Sequence, residues 1–135
     1  MIKHKIENLN TLNQVLKSEH LSQEDLQISL SYSNINENSV QDISQALRKF
    51  TNLTSLGLDL RSNVIDNKGA SVLGSGFKNL NLLSSLTINL SNNSIGNQGI
   101  SELGSAIFKN SNLSSLDLKF SINSESFNIK FITHL

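Results

Sequence analysis

Three asparagines, Asn63, Asn93 and Asn123, stand 30 residues apart, and Ser33 holds the same column one unit earlier. A carboxamide both donates and accepts hydrogen bonds, so such a row suits either substrate binding or the pairing of backbone groups. A catalytic residue is rarely needed three times, whereas a repeated bend in the chain is. The row therefore reads as a structural ladder. Each amide meets N–H and C=O groups where the chain turns out of a strand, groups that cost about 1–3 kcal/mol each when buried unpaired.

Other candidate chemistry dissolves on inspection. Gly74-Ser75-Gly76 opens like a dinucleotide fingerprint, but Asn79 stands at the third glycine position and the segment falls in a helix pattern. Gly69 and Gly74 have phosphate-loop spacing, but Ser75 follows where a lysine must reach the phosphates. There is no cysteine, and His4, His20 and His134 include no pair at i, i+4. The many serines lack a neighbouring histidine base, and Glu37, Glu102 and Glu125 are scattered. The expectation is a chain with no catalytic residues, no metal and no cofactor, and hence no enzyme. Arg48, Lys49, Lys78 and Lys109 read as a solvated edge near helix C-termini, where cations complement the macrodipole.

The formal net charge is zero, so nothing favours nucleic acid or an anionic membrane as partner. The N-terminus has no apolar secretory core, and no apolar run approaches the roughly 20 residues that span a bilayer. A cytoplasmic location is the expectation.

Positioning these residues falls to a 30-residue repeat. Leu26, Leu56, Leu86 and Leu116 recur at that period, as do Leu53, Leu83 and Leu113. The units are 23–52, 53–82, 83–112 and the start of 113–135. Each begins with period-two alternation: Leu56, Leu58 and Leu60 point one way, and Gly57, Asp59 and Arg61 the other. The matching inward triplets are Leu26, Ile28, Leu30; Leu86, Ile88, Leu90; and Leu116, Leu118, Phe120. Each unit then changes to helical spacing, as at Gly69, Ala70, Leu73, Gly76 and Phe77. Asn36 and Asp66 fit as N-caps, with the weaker Gly96 in the third unit, and Ile35, Ile65 and Ile95 plug the strand-to-helix bend. Repeats this long mean stacked units that bury their apolar faces only against one another.

The pattern L-x-L-x-x-N-x-I followed by D-x-x-G-A-x-x-L-x-x-G-F resembles the leucine-rich repeats of the ribonuclease-inhibitor type. Leu58, Leu60, Asn63, Ile65, Gly69, Ala70, Leu73 and Phe77 carry it in one unit. Ile88, Leu90, Asn93, Ile95, Gly99, Ile100, Leu103 and Ile107 carry it in the next. The resemblance covers about residues 24–123 and departs from the family in an extra L-x pair per strand. It implies an α/β leucine-rich-repeat solenoid, a short right-handed βα horseshoe segment with parallel strands concave and helices convex.

The ends follow other patterns. Residues 1–22 read as an N-terminal helical cap, with Ile6, Leu9, Leu12, Val15 and Leu16 at helical spacing over 6–19. Residues 124–135 read as an atypical C-terminal cap, with Phe127, Ile129 and Phe131 at period two suiting a short strand. The outward positions Asp25, Gln27, Ser29, Asp59, Arg61, Thr87, Asn89, Asp117 and Lys119 then form a small, polar concave face. The function expected is a non-catalytic protein–protein interaction module for an unknown protein, as a monomer or a fragment of a longer array. The resemblance also allows a repeat region of a small-GTPase regulator or of a kinase-containing protein. A partial array without its own activity is the third reading.

Overall fold

The computed structural model describes residues 3–19 and 21–133. It is an α/β arrangement in which β1 (Lys3–Ile6), α1 (Leu9–Leu16), β2 (Asp25–Ser29), α2 (Glu37–Leu47), β3 (Ser55–Asp59), α3 (Asn67–Ser75), β4 (Ser85–Leu90) and α4 (Asn97–Phe108) alternate before β5 (Ser115–Ile122) and β6 (Glu125–Ile132). All six strands form one sheet in chain order, parallel from β1 to β5, with β6 antiparallel to β5. No helix among the described residues is long and apolar enough to cross a membrane.

The 30-residue period appears directly as sheet register. Leu26 pairs with Leu56, Leu56 with Leu86, and Leu86 with Leu116. Every crossover steps to the next strand in the same direction. One hand of connection therefore puts all the helices on one side of the sheet. They pack there as a layer, α1 on α2, α2 on α3 and α3 on α4. Between layers lies one core, into which Leu26, Ile28, Leu56, Leu58, Leu86, Ile88, Leu116 and Leu118 point, fully buried. Ile35, Ile65 and Ile95 are buried in the bends.

The asparagine row has two rungs. Asn63 Oδ1 accepts from Ser33 N and Ile35 N, both at 2.9 Å, while its Nδ2 donates to Leu30 O, Leu60 O and Arg61 O. Asn93 Oδ1 accepts from Ile65 N at 3.0 Å, and its Nδ2 donates to Leu60 O, Leu90 O and Ser91 O. Asn63 is buried and Asn93 half-buried. Asn123 departs from the expected column. It is exposed, with φ 53°, and with Ser124 at φ 65° it makes the turn between β5 and β6. Two residues with positive φ match the twist of a two-residue hairpin, and asparagine tolerates that region well. The chain reverses there instead of bending toward a helix, so no ladder bond is made by Asn123 among the described residues.

The N-terminal end corrects the sequence reading, whereas the C-terminal tail forms a strand that includes Phe127, Ile129 and Phe131. The N-terminal cap is not helical throughout, because Ile6 closes a strand and is fully buried against the sheet. β1 pairs with β2 at an offset of 22 residues, Lys3 against Asp25, outside the 30-residue period. Ile6 stands three places before Leu9, a helical spacing, so the local pattern extends the helix over a residue that the sheet takes instead. The helix starts later, at Leu9, capped by Asn8 Oδ1, which accepts from Thr11 N at 2.9 Å. At the other end β6 runs for eight residues, and its turn residue Asn123 belongs to the hairpin.

Caps of the middle helices follow the expected residues until α4. Asn36 accepts from Ser39 N, and Asp66 from Gly69 N. Gly96 has no side chain to offer, and Asn67 of α3 supplies the missing acceptor, its Oδ1 accepting from Gly96 N at 2.8 Å and Gly99 N at 3.0 Å. Close approach requires glycine at 99. A Cβ there would lie 2.6 Å from Asn67 Oδ1 and 2.9 Å from Asn67 Cα. Gly99→Ala is therefore expected to destabilise by about 1–3 kcal/mol, although alanine is the better helix former. Urea unfolding checks this, and a gain in stability would refute the shared cap.

Candidate functional site

Strand side chains alternate, so the sheet's second face carries the residues between the buried leucines. No helix packs on it among the described elements. A parallel sheet open on one face is unusual, because parallel sheets are generally covered on both sides. Here the open face tolerates water because its residues are mostly polar.

Register aligns them in rows across the strands. Asp25, Ser55, Ser85 and Ser115 form one row; Gln27, Gly57, Thr87 and Asp117 the next; Ser29, Asp59, Asn89 and Lys119 the third. Of the residues singled out from sequence, Arg61 alone lies just past its strand, two residues beyond Asp59. The two terminal strands, β1 and β6, widen the face. Lys5 joins the second row beside Gln27, Lys130 joins it beside Asp117, and Asn128 sits beside Lys119. Lys5 escaped notice because β1 lies outside the period. Lys130 and Asn128 were hidden because a strand's pairing partner and direction are not local properties.

The charges are mostly paired within the face. Arg61 Nε lies 3.5 Å from Asp59 Oδ1, and the same oxygen accepts from Arg61 N at 3.4 Å. Lys130 Nζ lies 3.7 Å from Asp117 Oδ2. Such exposed pairs contribute at most about 1 kcal/mol, so they orient side chains more than they stabilise the fold. Asp117 Oδ1 is closed off from solvent and has no hydrogen-bond partner among the described residues. Gln27 lies across its neighbour: a Cβ at Gly57 would fall 2.3 Å from Gln27 Oε1. The centre of the face is thus flat and the charges flank it.

An aromatic residue stands at its border, which the sequence reading of the face omitted. Tyr32 follows β2, is 77% exposed and has φ 53°. Its N donates to Arg61 O at 3.2 Å, so the tyrosine and the arginine are neighbours on adjacent units. Ser62 and Asn92, at the same place in later units, also have positive φ. A bulky side chain in that region costs about 1–2 kcal/mol, a cost serine and asparagine bear more easily. The signal was available in the column itself: Tyr32 sits where the repeat otherwise carries Ser62 and Asn92.

Among the described residues no group of histidine, cysteine, aspartate and glutamate is arranged to hold a metal ion. No protein-family model matches the sequence, and no curated protein matches it significantly.

Proposed function

We propose that this chain is a leucine-rich-repeat solenoid of the ribonuclease-inhibitor type, acting as a non-catalytic module that binds a protein on its concave, open face. The observation that carries the reading is the uncovered face of a parallel sheet, bordered by Tyr32 and Arg61. Stacking helices wider than the strand spacing of about 4.8 Å curves such a stack with its strands inside. Tyrosine and arginine are among the residue types that most often dominate binding energy. Six strands make a flat footprint on the order of 400 Å², against about 250 Å² for the four read from sequence. Side-chain relief and the Tyr32 border bring it toward the roughly 800 Å² per partner of a standard interface.

The test compares variants by capture of a partner from lysate, followed by affinity measurement with the purified partner. Tyr32→Asn and Arg61→Ala are each expected to weaken binding about tenfold or more. Lys78→Ala, on the exposed helix side, should leave it within about twofold. Tyr32→Asn should at the same time leave stability unchanged or raise it by up to about 1 kcal/mol, because asparagine accepts positive φ. Equal losses for Arg61→Ala and Lys78→Ala would move the site off the open face. Turnover of a hydrolase or transferase substrate by the purified chain, abolished by one substitution that spares folding, would refute the non-catalytic reading.

A further inference from the structure

The helices repeat their contacts as the strands repeat theirs. Ser44 of α2, Gly74 of α3 and Gly104 of α4 stand 30 residues apart. Ser44 receives α3: its Oγ donates to Val72 O at 2.8 Å, and a Cβ at Gly76 would come within 3.1 Å of Ser44 Cα. Gly74 receives α4, since a Cβ there would lie 2.9 Å from Ala106 Cβ. Gly104 receives nothing among the described residues, and a Cβ there would meet no atom beyond its own helical turn within 4 Å. The helix starts show the same progression. Asn67 accepts from the first N–H groups of α4, whereas its counterpart Asn97 is exposed.

Beside this bare flank lies an apolar floor. Phe127, Ile129 and Phe131 of β6 pair with Phe120, Leu118 and Leu116, so they face the helix side of the sheet. No helix among the described residues follows β5 to cover them. Phe127 is 42% and Ile129 43% exposed, and Phe108, at the end of α4, is 61% exposed and stacked on Phe131 with ring centres 5.8 Å apart. Such patches on a protein surface mark interaction sites.

We propose that the free flank of α4 and the helix-side face of the β5–β6 hairpin form one docking site for an amphipathic α-helix of a partner protein. Continuity with the α3–α4 interface defines the occupant. Shifted by one unit, that interface asks for a helix parallel to α4. The helix needs a residue as small as alanine opposite Gly104, uncapped N–H groups at Asn97, and apolar side chains over Phe127 and Ile129. A further parallel strand has no place beside β5, because β6 fills that edge. The site is on the opposite side of the sheet from the open face and is independent of it.

The probe is a fluorescent peptide with the sequence of residues 95–110. It is held helical by a staple joining the positions of Gln98 and Glu102, both exposed on α4. The staple is needed because a free helix of this length is marginal in water. Titrated with the full chain, it should bind saturably. Gly104→Leu in the protein and Ala106→Leu in the peptide should each weaken binding at least about tenfold, while Arg61→Ala leaves it within about twofold. Gly104→Leu should melt no lower than the parent, since its side chain enters open space and leucine is the better helix former. If it does melt lower, Phe108→Ser at the same flank takes its place, with the same loss expected. Absence of saturable binding up to about 1 mM peptide, or binding indifferent to the flank variant, overturns the proposal. A chain that is dimeric without peptide and monomeric as Gly104→Leu would show a second copy on the flank, and overturns the partner assignment.

Discussion

Leu86→Ala is expected to lower the unfolding free energy by about 2–5 kcal/mol, among the largest losses available to a single truncation in this chain. Leu86 is 1% exposed and lies on β4, between Leu56 of β3 and Leu116 of β5. Removing its side chain leaves a cavity flanked by both neighbouring units, and a stack held in 30-residue register cannot close it by moving one strand. The total stability of a domain this size is about 5–15 kcal/mol, so the loss is a large share. Denaturant unfolding measures it, with Leu9→Ala as the comparison. Leu9 is partly solvent-exposed at the start of α1 and should lose about 1 kcal/mol or less. A loss below about 1 kcal/mol at Leu86 would contradict the packing described here.

Asn63→Ala is expected to cost several kcal/mol with no change in hydrophobic burial. It orphans Ser33 N and Ile35 N and takes the side-chain donor from Leu30 O, at about 1–3 kcal/mol for each group that water cannot reach, whereas Leu60 O and Arg61 O keep Asn93 Nδ2 and Tyr32 N as donors. Asn93→Ala should cost less, since that rung is half-buried and, among the described residues, accepts from Ile65 N where Asn63 accepts from two N–H groups. Asn123→Ala should cost about 1 kcal/mol or less, through its positive φ only. Asn63→Asp separates the accepting from the donating role. The carboxylate still accepts from Ser33 N and Ile35 N, but it turns a charged oxygen toward carbonyls. Its folded pKa is then raised above the unfolded value of about 3.9. The protonated form retains one donor, so this variant should be least destabilised below about pH 4 and lose stability as pH rises through the folded pKa. Equal destabilisation at pH 4 and pH 7 would show that the carbonyls are not met by the side chain.

The open face was partly legible and partly not. Period-two alternation placed Asp59, Thr87 and Asn89 opposite the leucines, because strand side chains can only alternate. The pairing of Asp117 with Lys130 was not legible, since it depends on β6 folding back beside β5. Tyr32 was missed because the residue follows the strand, and a turn residue's exposure depends on its backbone conformation.

By itself the sequence determined the unit. Leucine spacing sets the parallel register, because a 30-residue offset is the one that brings Leu26, Leu56, Leu86 and Leu116 together on the buried face. Asn36 and Asp66 mark helix starts through bonds made within three residues. Tertiary structure alone decided what lies outside that period. Ile6 became a strand residue because β2 offered it an edge. Asn123 left its column because the chain reversed into a hairpin. Gly96 was capped by Asn67 from the neighbouring helix, 29 residues away. The Ile6 and Gly96 contacts join segments 22 and 29 residues apart, so no local pattern of residues encodes them; the hairpin at Asn123 is local in sequence, but the repeat spacing alone does not separate a turn asparagine from a ladder asparagine.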